Sequence, residues 1–290
     1  MIWFDKCNPF PALFYFISVT VLAALFNNPY HTAVTLAASI VMFVFMRGRA
    51  RVALSFFVVF VLTFIVNPLV SKKGATPLIF IGNDPITLES IIYGLNSAAM
   101  ILSVMFLFFT FTRLLDSEKL LYLLSPFSAS AAMTVSAVLR FAPLYLRQAR
   151  LISAQQKVIG AEGGRSIPER LRSGVRVFSA LSTWALENGI IAADSMACRG
   201  YGTGKRTFFS FFGFRPSDLV FLLLSAALTA GAAVPAAFSR LSFMYYPVIV
   251  LPETGAAFAV SAASYTLLVF LPLIFEITDR IKWKYLQSKI

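Results

Sequence analysis

The strongest constraint on this chain is a series of long apolar runs that contain almost no charge. The runs lie at Phe10 to Phe26, Thr32 to Met46, Val52 to Val70, Ile86 to Thr112, Leu219 to Pro235 and Thr254 to Phe275. Most of them approach the ~20 residues that a helix needs to cross a bilayer core. The composition agrees, because 58% apolar residues and a mean hydropathy of +0.78 over 290 residues are too apolar for a soluble protein. We therefore expect an all-α, polytopic membrane protein with about six transmembrane helices.

Basic residues predict the orientation of these helices. Arginines lie between the second and third runs, and further basic residues follow the last run: Arg47, Arg49, Arg51, Arg280, Lys282, Lys284 and Lys289. Loops rich in Lys and Arg stay in the cytoplasm, so both termini are expected there, with the first run retained as a helix. Only Lys72, Lys73 and Arg240 then lie outside. The net charge of +12 is explained by this asymmetry, and no basic run is interleaved with aromatic residues as in a nucleic-acid-binding surface.

A middle region from Arg113 to Ser217 has a different composition. It contains 14 Lys and Arg against 6 Asp and Glu, a net charge of +8, and the charges recur throughout. A segment of this kind does not cross a bilayer in the ordinary way, yet it keeps apolar residues at helical spacing. The sequence therefore predicts three parts: transmembrane helices 1–4 in 1–112, cytoplasmic amphipathic helices in 113–217, and transmembrane helices 5 and 6 in 218–290.

Two long helices are predicted in the middle region. The first runs from Ser128 to Ile159, with a proline kink at Pro143 and one basic face formed by Arg140, Arg147, Arg150 and Lys157. The second begins at Ser166, where Ser166-Ile167-Pro168-Glu169 matches a capping box, and runs to Arg199. Gly200 supplies the left-handed position that ends helices. About 33 residues give a rod of ~50 Å, long enough to lie along a membrane and reach a partner.

The segment from Ala193 to Thr207 is polar, glycine-rich and basic, and it superficially resembles a phosphate-binding loop. The pattern fails, because Arg199 stands where the first glycine is required and Arg206 where Ser or Thr is required. We expect this chain to bind no ATP itself. Two interpretations of Arg199-Gly200 remain open: an ordinary cationic helix end with its capping glycine, and an exposed plug whose guanidinium enters a groove of another protein.

Residues for catalysis or metal binding are scarce. The chain has a single histidine, His31, which is expected to mark a helix boundary beside Asn28-Pro29, and two distant cysteines, Cys7 and Cys198, that form no ligand pair. Glu89 and Glu253 lie at predicted outer helix ends, where carboxylates are usually solvated or capping. We therefore expect no enzyme, no metal site and no cofactor held by this chain.

Two other function classes make different demands. A self-sufficient secondary transporter needs broken helices and polar residues within the membrane, for which Asn67 and Asn96 are the modest candidates. A membrane-embedded enzyme needs His, Asp or Cys clustered near one membrane face. Copurification of nucleotide-binding subunits from native membranes would favour a transporter scaffold over both alternatives.

Four blocks, in order, resemble the transmembrane T component of energy-coupling factor (ECF) transporters, the CbiQ-like or EcfT-like family. The blocks are Asn67 to Gly74, Ile86 to Gly94, Leu139 to Leu144 and Asp194 to Thr207. The resemblance covers most of the chain. It implies a non-catalytic subunit of a prokaryotic inner-membrane ABC importer that joins two cytoplasmic ATPases, identical or different, to a small membrane S component. The S component captures the cargo, a vitamin or a transition-metal ion, and the ATPases use ATP and Mg.

The family's two coupling helices each end in a short Ala-Arg-Gly-like motif that docks into one ATPase. The resemblance places the second motif at Cys198-Arg199-Gly200 and the first at Val158-Ile159-Gly160, after Lys157, so that Ile159 replaces the expected arginine. Either Lys157 supplies the charge or that contact is mainly apolar. Small residues at the start of the first coupling helix are candidates for contact with the S component, or for packing within this subunit: Ala129, Ser130, Ala131, Ala132 and Ser136.

Overall fold

The computed structural model describes residues 7–71, 74–81, 84–124, 126, 128–160, 167–204, 213–238, 243–250 and 255–287. Nine α-helices are found in these ranges: α1 Pro9–Leu25, α2 Pro29–Phe45, α3 Ala50–Val70, α4 Leu88–Leu114, α5 Ser117–Leu124, α6 Ala129–Val158, α7 Ile167–Cys198, α8 Pro216–Phe238 and α9 Ala256–Gln287. One antiparallel hairpin, β1 Pro77–Ile81 and β2 Asp84–Thr87, precedes α4. The predicted all-α, polytopic class is confirmed.

Each of the six apolar runs contains a helix, and the fourth begins with two residues of β2. Four of the helices are long and apolar enough to cross a membrane on their own: α3, α4, α8 and α9. The other two, α1 and α2, have 17 residues each and are the shorter apolar helices. Seventeen residues rise ~26 Å, close to the thickness of a bilayer core. The protein is therefore a multi-pass membrane protein.

Several helix starts are explained by local capping. Asn8 and Asn28 each accept a hydrogen bond from the backbone N–H two residues on, and each stands before a proline in the first turn. Thr87 caps α4 by accepting from the N–H of Ser90, and Ser128 caps α6 by accepting from the N–H of Ala131. These side chains satisfy amide groups that have no partner inside the helix. The helix boundary predicted beside His31 is confirmed.

The chain divides into two compact units, and each is described separately. Unit 1 comprises residues 1–120 and 212–290, and unit 2 comprises residues 121–211. In unit 1, α4 packs against α2 and α3, and α9 packs against α8 and α2. The middle region predicted from composition overlaps unit 2, although α4 ends only at Leu114.

The core of unit 1 is formed mainly by α1, α2, α8 and α9. Tyr15 and Tyr265 are fully buried there, and each has a polar partner for its hydroxyl group. The Tyr15 hydroxyl donates to the Val269 carbonyl at 3.0 Å, and the hydroxyls of Tyr265 and Thr35 lie 2.6 Å apart. By contrast, α3 has no buried residue and exposes a row of large apolar side chains, as expected for a helix that contacts lipid.

Asn96, a transport candidate from the sequence, and Glu89, a carboxylate at a predicted helix end, both have structural contacts. Asn96 donates from Nδ2 to Asn27 Oδ1 at 2.8 Å, which ties α4 to the turn between α1 and α2. Glu89 is 3% exposed, and its Oε2 accepts from the Thr76 hydroxyl at 2.8 Å. Both side chains therefore hold connecting segments in place. The expectations that concern Lys72, Lys73, Ser166, Arg240, Glu253, Lys289 and 205–207 lie outside the described residues.

Candidate functional site

The C-terminal end of α7 is a complete Schellman motif. The N–H of Gly200 donates to the Ala197 carbonyl at 3.0 Å, and the N–H of Tyr201 donates to the Met196 carbonyl at 3.0 Å. Gly200 has φ +80°, the left-handed conformation that glycine adopts without a steric cost. The predicted stop at Gly200 is confirmed. Arg199 and Cys198 stand exposed just before the stop.

The end of α6 has a closely related backbone. The N–H of Ile159 donates to the Gln155 carbonyl at 3.2 Å, the N–H of Gly160 donates to the Lys157 carbonyl at 3.0 Å, and Gly160 has φ +71°. Val158 and Ile159 are 89% and 79% exposed. These two adjacent side chains form a small exposed apolar patch at the helix end. The two motifs predicted from the family resemblance are therefore both exposed helix ends closed by a left-handed glycine.

The C-terminal ends of α6 and α7 have similar backbones but different side chains. Arg199 presents a planar guanidinium with five N–H donors, and Ile159 at the equivalent position presents a branched aliphatic group. Lys157 is also exposed, two residues before Ile159. One end therefore suits a groove with carboxylates or carbonyl oxygens, whereas the other suits an apolar groove with a cation close by.

The paired helices hold these two ends apart. Tyr145 of α6 and Trp184 of α7 make an edge-to-face contact at 5.9 Å, and Tyr201 donates from its hydroxyl to Met133 Sδ at 2.6 Å. The contact partner of a later residue in α6 is an earlier residue in α7, so the helices are antiparallel. Each end lies ~20 Å along its helix from the Tyr145–Trp184 contact, in opposite directions. The two motifs are therefore separated by up to about 40 Å.

The small residues at the start of α6 have unequal exposure. Ser130 and Ser136 are exposed, Ala131 is half-buried, and Ala132 is 9% exposed and buried within the chain. The side chain of Ala129 lies outside the described residues. Of the candidate contacts for an S component, Ser130 and Ser136 are therefore the accessible ones, whereas Ala132 packs internally.

The basic face predicted on α6 is exposed to solvent along its length. Arg140, Arg147, Arg150 and Lys157 are all exposed. A shallow concavity of about 410 Å³ lies beside Arg150 and Lys157 and is otherwise lined by Leu146, Ala149, Ser153 and Ala154. This surface has a positive charge with small residues between the charges, and it leads directly to the helix end at Ile159.

The described residues offer few groups for cysteine or metal chemistry. Cys7 is buried, and burial, with Asp218 beside it, raises the pKa of its thiol well above the usual range. Cys198 is exposed. Within the described parts of the chain, no three His, Cys, Asp or Glu side chains form a group that could hold a metal ion.

Two blocks of the family resemblance meet in unit 1, a relation that the sequence alone did not reveal. A Cβ on Gly94 would lie 3.2 Å from Pro68 Cδ and 3.3 Å from Asn67 Cβ, so the absent side chain allows α4 to approach α3. A Cβ on Gly74 would lie 2.7 Å from Glu89 Oε2 and closer still to Thr87 Oγ1. For Gly94, its position inside an apolar run is the available sequence signal for such close packing.

The comparisons with known proteins agree with the family resemblance. A family model described as CbiQ, cobalt transport protein, matches residues 3–208. The matched range includes α1 to α7 and both glycine-terminated helix ends. No curated protein matches the chain.

Proposed function

Because the chain belongs to the CbiQ family of cobalt transport proteins, we propose that it is the transmembrane scaffold of an ECF-type importer. It is a component of a membrane transport system. In the proposed role it joins two cytoplasmic ATPases to a small membrane S component that captures a vitamin or a transition-metal ion. The observation that carries this proposal is the pair of exposed helix ends, alike in backbone and separated by up to about 40 Å along an antiparallel pair.

A scaffold that serves two ATPases needs two docking points at a fixed separation. The antiparallel arrangement of α6 and α7 supplies them, because each helix directs its C-terminal end away from the Tyr145–Trp184 contact. ATP binding would draw the two ATPases together and move both ends. The helices α6 and α7 would transmit the motion to the surface that faces the S component. The S component would then tilt and release its cargo inward.

The docking contact at α7 is assigned to Arg199, with Cys198 and Gly200 beside it. Arginine is suited to this role because its fork of donors binds carboxylates and carbonyl oxygens with fixed geometry. Gly200 stops the helix immediately afterwards, so Arg199 is the last residue before the stop, and it is exposed. At α6 the contact is assigned to Val158, Ile159 and Gly160, with Lys157 supplying positive charge nearby.

The two contacts are expected to be unequal. An ATPase groove that receives Arg199 requires oxygen acceptors, whereas one that receives Ile159 at 79% exposure requires apolar walls. This difference favours two non-identical ATPases over a pair of identical ones. The chain itself is proposed to be non-catalytic, with ATP and Mg bound by the partner ATPases. Its basic loops support a cytoplasmic position for the two helix ends.

The experiment that tests the proposal is charge reversal at the α7 tip. Arg199→Glu is expected to abolish copurification of at least one ATPase and to reduce substrate uptake. Arg147→Glu is the matched control, since it makes the same charge change at an exposed site away from both tips, and it should retain both properties. Unchanged copurification and uptake in Arg199→Glu would exclude docking through this residue.

Ile159, which stands where the family motif has arginine, is tested separately. Ile159→Arg is expected to weaken ATPase binding at the α6 tip if that groove is apolar, because a guanidinium would be buried without partners. Lys157→Ala should weaken the same contact if lysine supplies the charge. A Lys157→Ala protein that assembles normally would rule out charge substitution and leave the apolar contact as the explanation.

A further inference from the structure

An exposed apolar stripe lies on the N-terminal half of α7. Ile167, Leu171, Val175 and Phe178 are 76%, 66%, 66% and 70% exposed. At 100° per residue these four positions fall within an arc of about 80°, so they form one continuous row. We name this row the α7 stripe. It spans about 17 Å along the helix axis, and large exposed apolar rows of this kind are usually covered by a partner or a membrane.

The stripe points away from the helix that α7 pairs with. Trp184, which contacts Tyr145 of α6, lies roughly 140° from the centre of the stripe around the helix. The acidic residues of α7 are also remote from the stripe, since Glu169, Glu187 and Asp194 lie about 140–160° from its centre. The stripe therefore faces outward without a negative charge beside it.

Arginines stand on both sides of the stripe. Arg170 and Arg172 lie about 100° from its centre in opposite directions, and both are exposed. Arginine in this position places its aliphatic stem along apolar surface and its guanidinium among head groups. Exposed Arg176 lies on the rear face with the acidic residues, so that face is mixed in charge. A helix with an apolar row, basic flanks and a charged rear face has the distribution of a helix that lies in the surface of an anionic membrane.

We propose that the α7 stripe docks on anionic phospholipid at the surface of the bilayer that holds the transmembrane helices of the same chain. Lipid is favoured over a protein partner because the charges flank the apolar row symmetrically, as head groups on either side require. The helix is also covalently attached to membrane spans, so the lipid surface is present at high local concentration. Docking would hold the α7 tip near a constant depth before any partner binds.

The test uses the full chain in nanodiscs, without ATPases, so its result is independent of the proposed function. An environment-sensitive fluorophore is attached at Phe178→Cys, or at Ala180→Cys as a control about 160° away around the helix. Both variants carry Cys198→Ser, and buried Cys7 stays unlabelled. The nanodiscs contain phosphatidylcholine alone or with phosphatidylglycerol, and each includes a lipid that carries a quencher.

Quenching at position 178 and its near absence at position 180 are expected, and phosphatidylglycerol should increase the effect at position 178. Arg170→Gln and Arg172→Gln should each lower the ratio of docked to undocked helix about fivefold in the anionic nanodiscs.

A second probe at Leu171→Cys should repeat the result if Phe178→Cys disturbs the helix. Equal quenching at both faces, or no quenching in anionic nanodiscs, would overturn the proposal. Shielding of position 178 only after another membrane protein is added would also overturn it, in favour of a protein partner.

Discussion

At the scale of single residues, Gly74 illustrates a requirement set by neighbours in space. Its α-carbon faces the side chains of Thr87 and Glu89, which cap and anchor the start of α4. We predict that Gly74→Ala lowers the free energy of unfolding by about 1–3 kcal/mol, because an added methyl group must displace these side chains. Thermal denaturation in detergent measures the loss.

Gly189 provides the matched control for this prediction. It lies inside α7, and a Cβ there would meet no atom within 4 Å. Gly189→Ala should therefore be neutral or stabilising by up to ~1 kcal/mol, since alanine is the better helix former. If Gly74→Ala were as stable as Gly189→Ala, the crowding around Gly74 would not constrain the fold.

The two glycine positions also show what sequence can predict at this scale. The stop at Gly200 was predictable because helix capping depends on a few consecutive residues. The crowding at Gly74 was not, because it depends on side chains 13 and 15 positions later that a hairpin brings back. The same holds for Asn96, whose partner Asn27 is distant in the chain.

At the scale of elements, apolar runs and caps predicted most helices closely. The first long helix of the middle region was predicted from Ser128 to Ile159 and is observed as Ala129–Val158, with Ser128 as its cap. The hairpin before α4 and the short helix α5 were not predicted, since segments of this length have no distinct periodicity. The last helix also continues beyond Phe275 to Gln287, supported by an Arg280–Glu276 pair at 3.0 Å and by Arg280 over the ring of Phe45.

The pairing of α6 with α7 can be tested through its aromatic contact. Tyr145 and Trp184 lie 5.9 Å apart at an interplanar angle of 81°, a geometry that contributes ~1 kcal/mol beyond area burial. We predict that Tyr145→Leu and Trp184→Leu each speed amide hydrogen exchange in both helices. The double variant should exchange little faster than either single variant, because the shared contact is already lost. Additive effects would mean that the two rings act independently.

At the scale of the whole molecule, the contacts between helices could not be predicted from the sequence. All six apolar runs are nearly uniform in composition, so nothing in them specifies that α9 packs on α8 and α2, or that Thr35 meets Tyr265. The exposure of α3 follows from that packing. The orientation of the helices in the membrane, by contrast, depends on charge counts, which sequence supplies directly.

Membrane orientation is the last prediction, and it depends on the loops between helices. With both termini in the cytoplasm, Arg49 at the start of α3 lies inside and Ala75 before β1 lies outside. A membrane-impermeant maleimide applied to intact cells should label Ala75→Cys but label Arg49→Cys only after permeabilisation. Both variants carry Cys198→Ser, and Cys7 is buried with a raised thiol pKa, so the background is low. Labelling of Arg49→Cys in intact cells without labelling of Ala75→Cys would establish the inverse orientation, and both helix tips would then lie on the side without ATP.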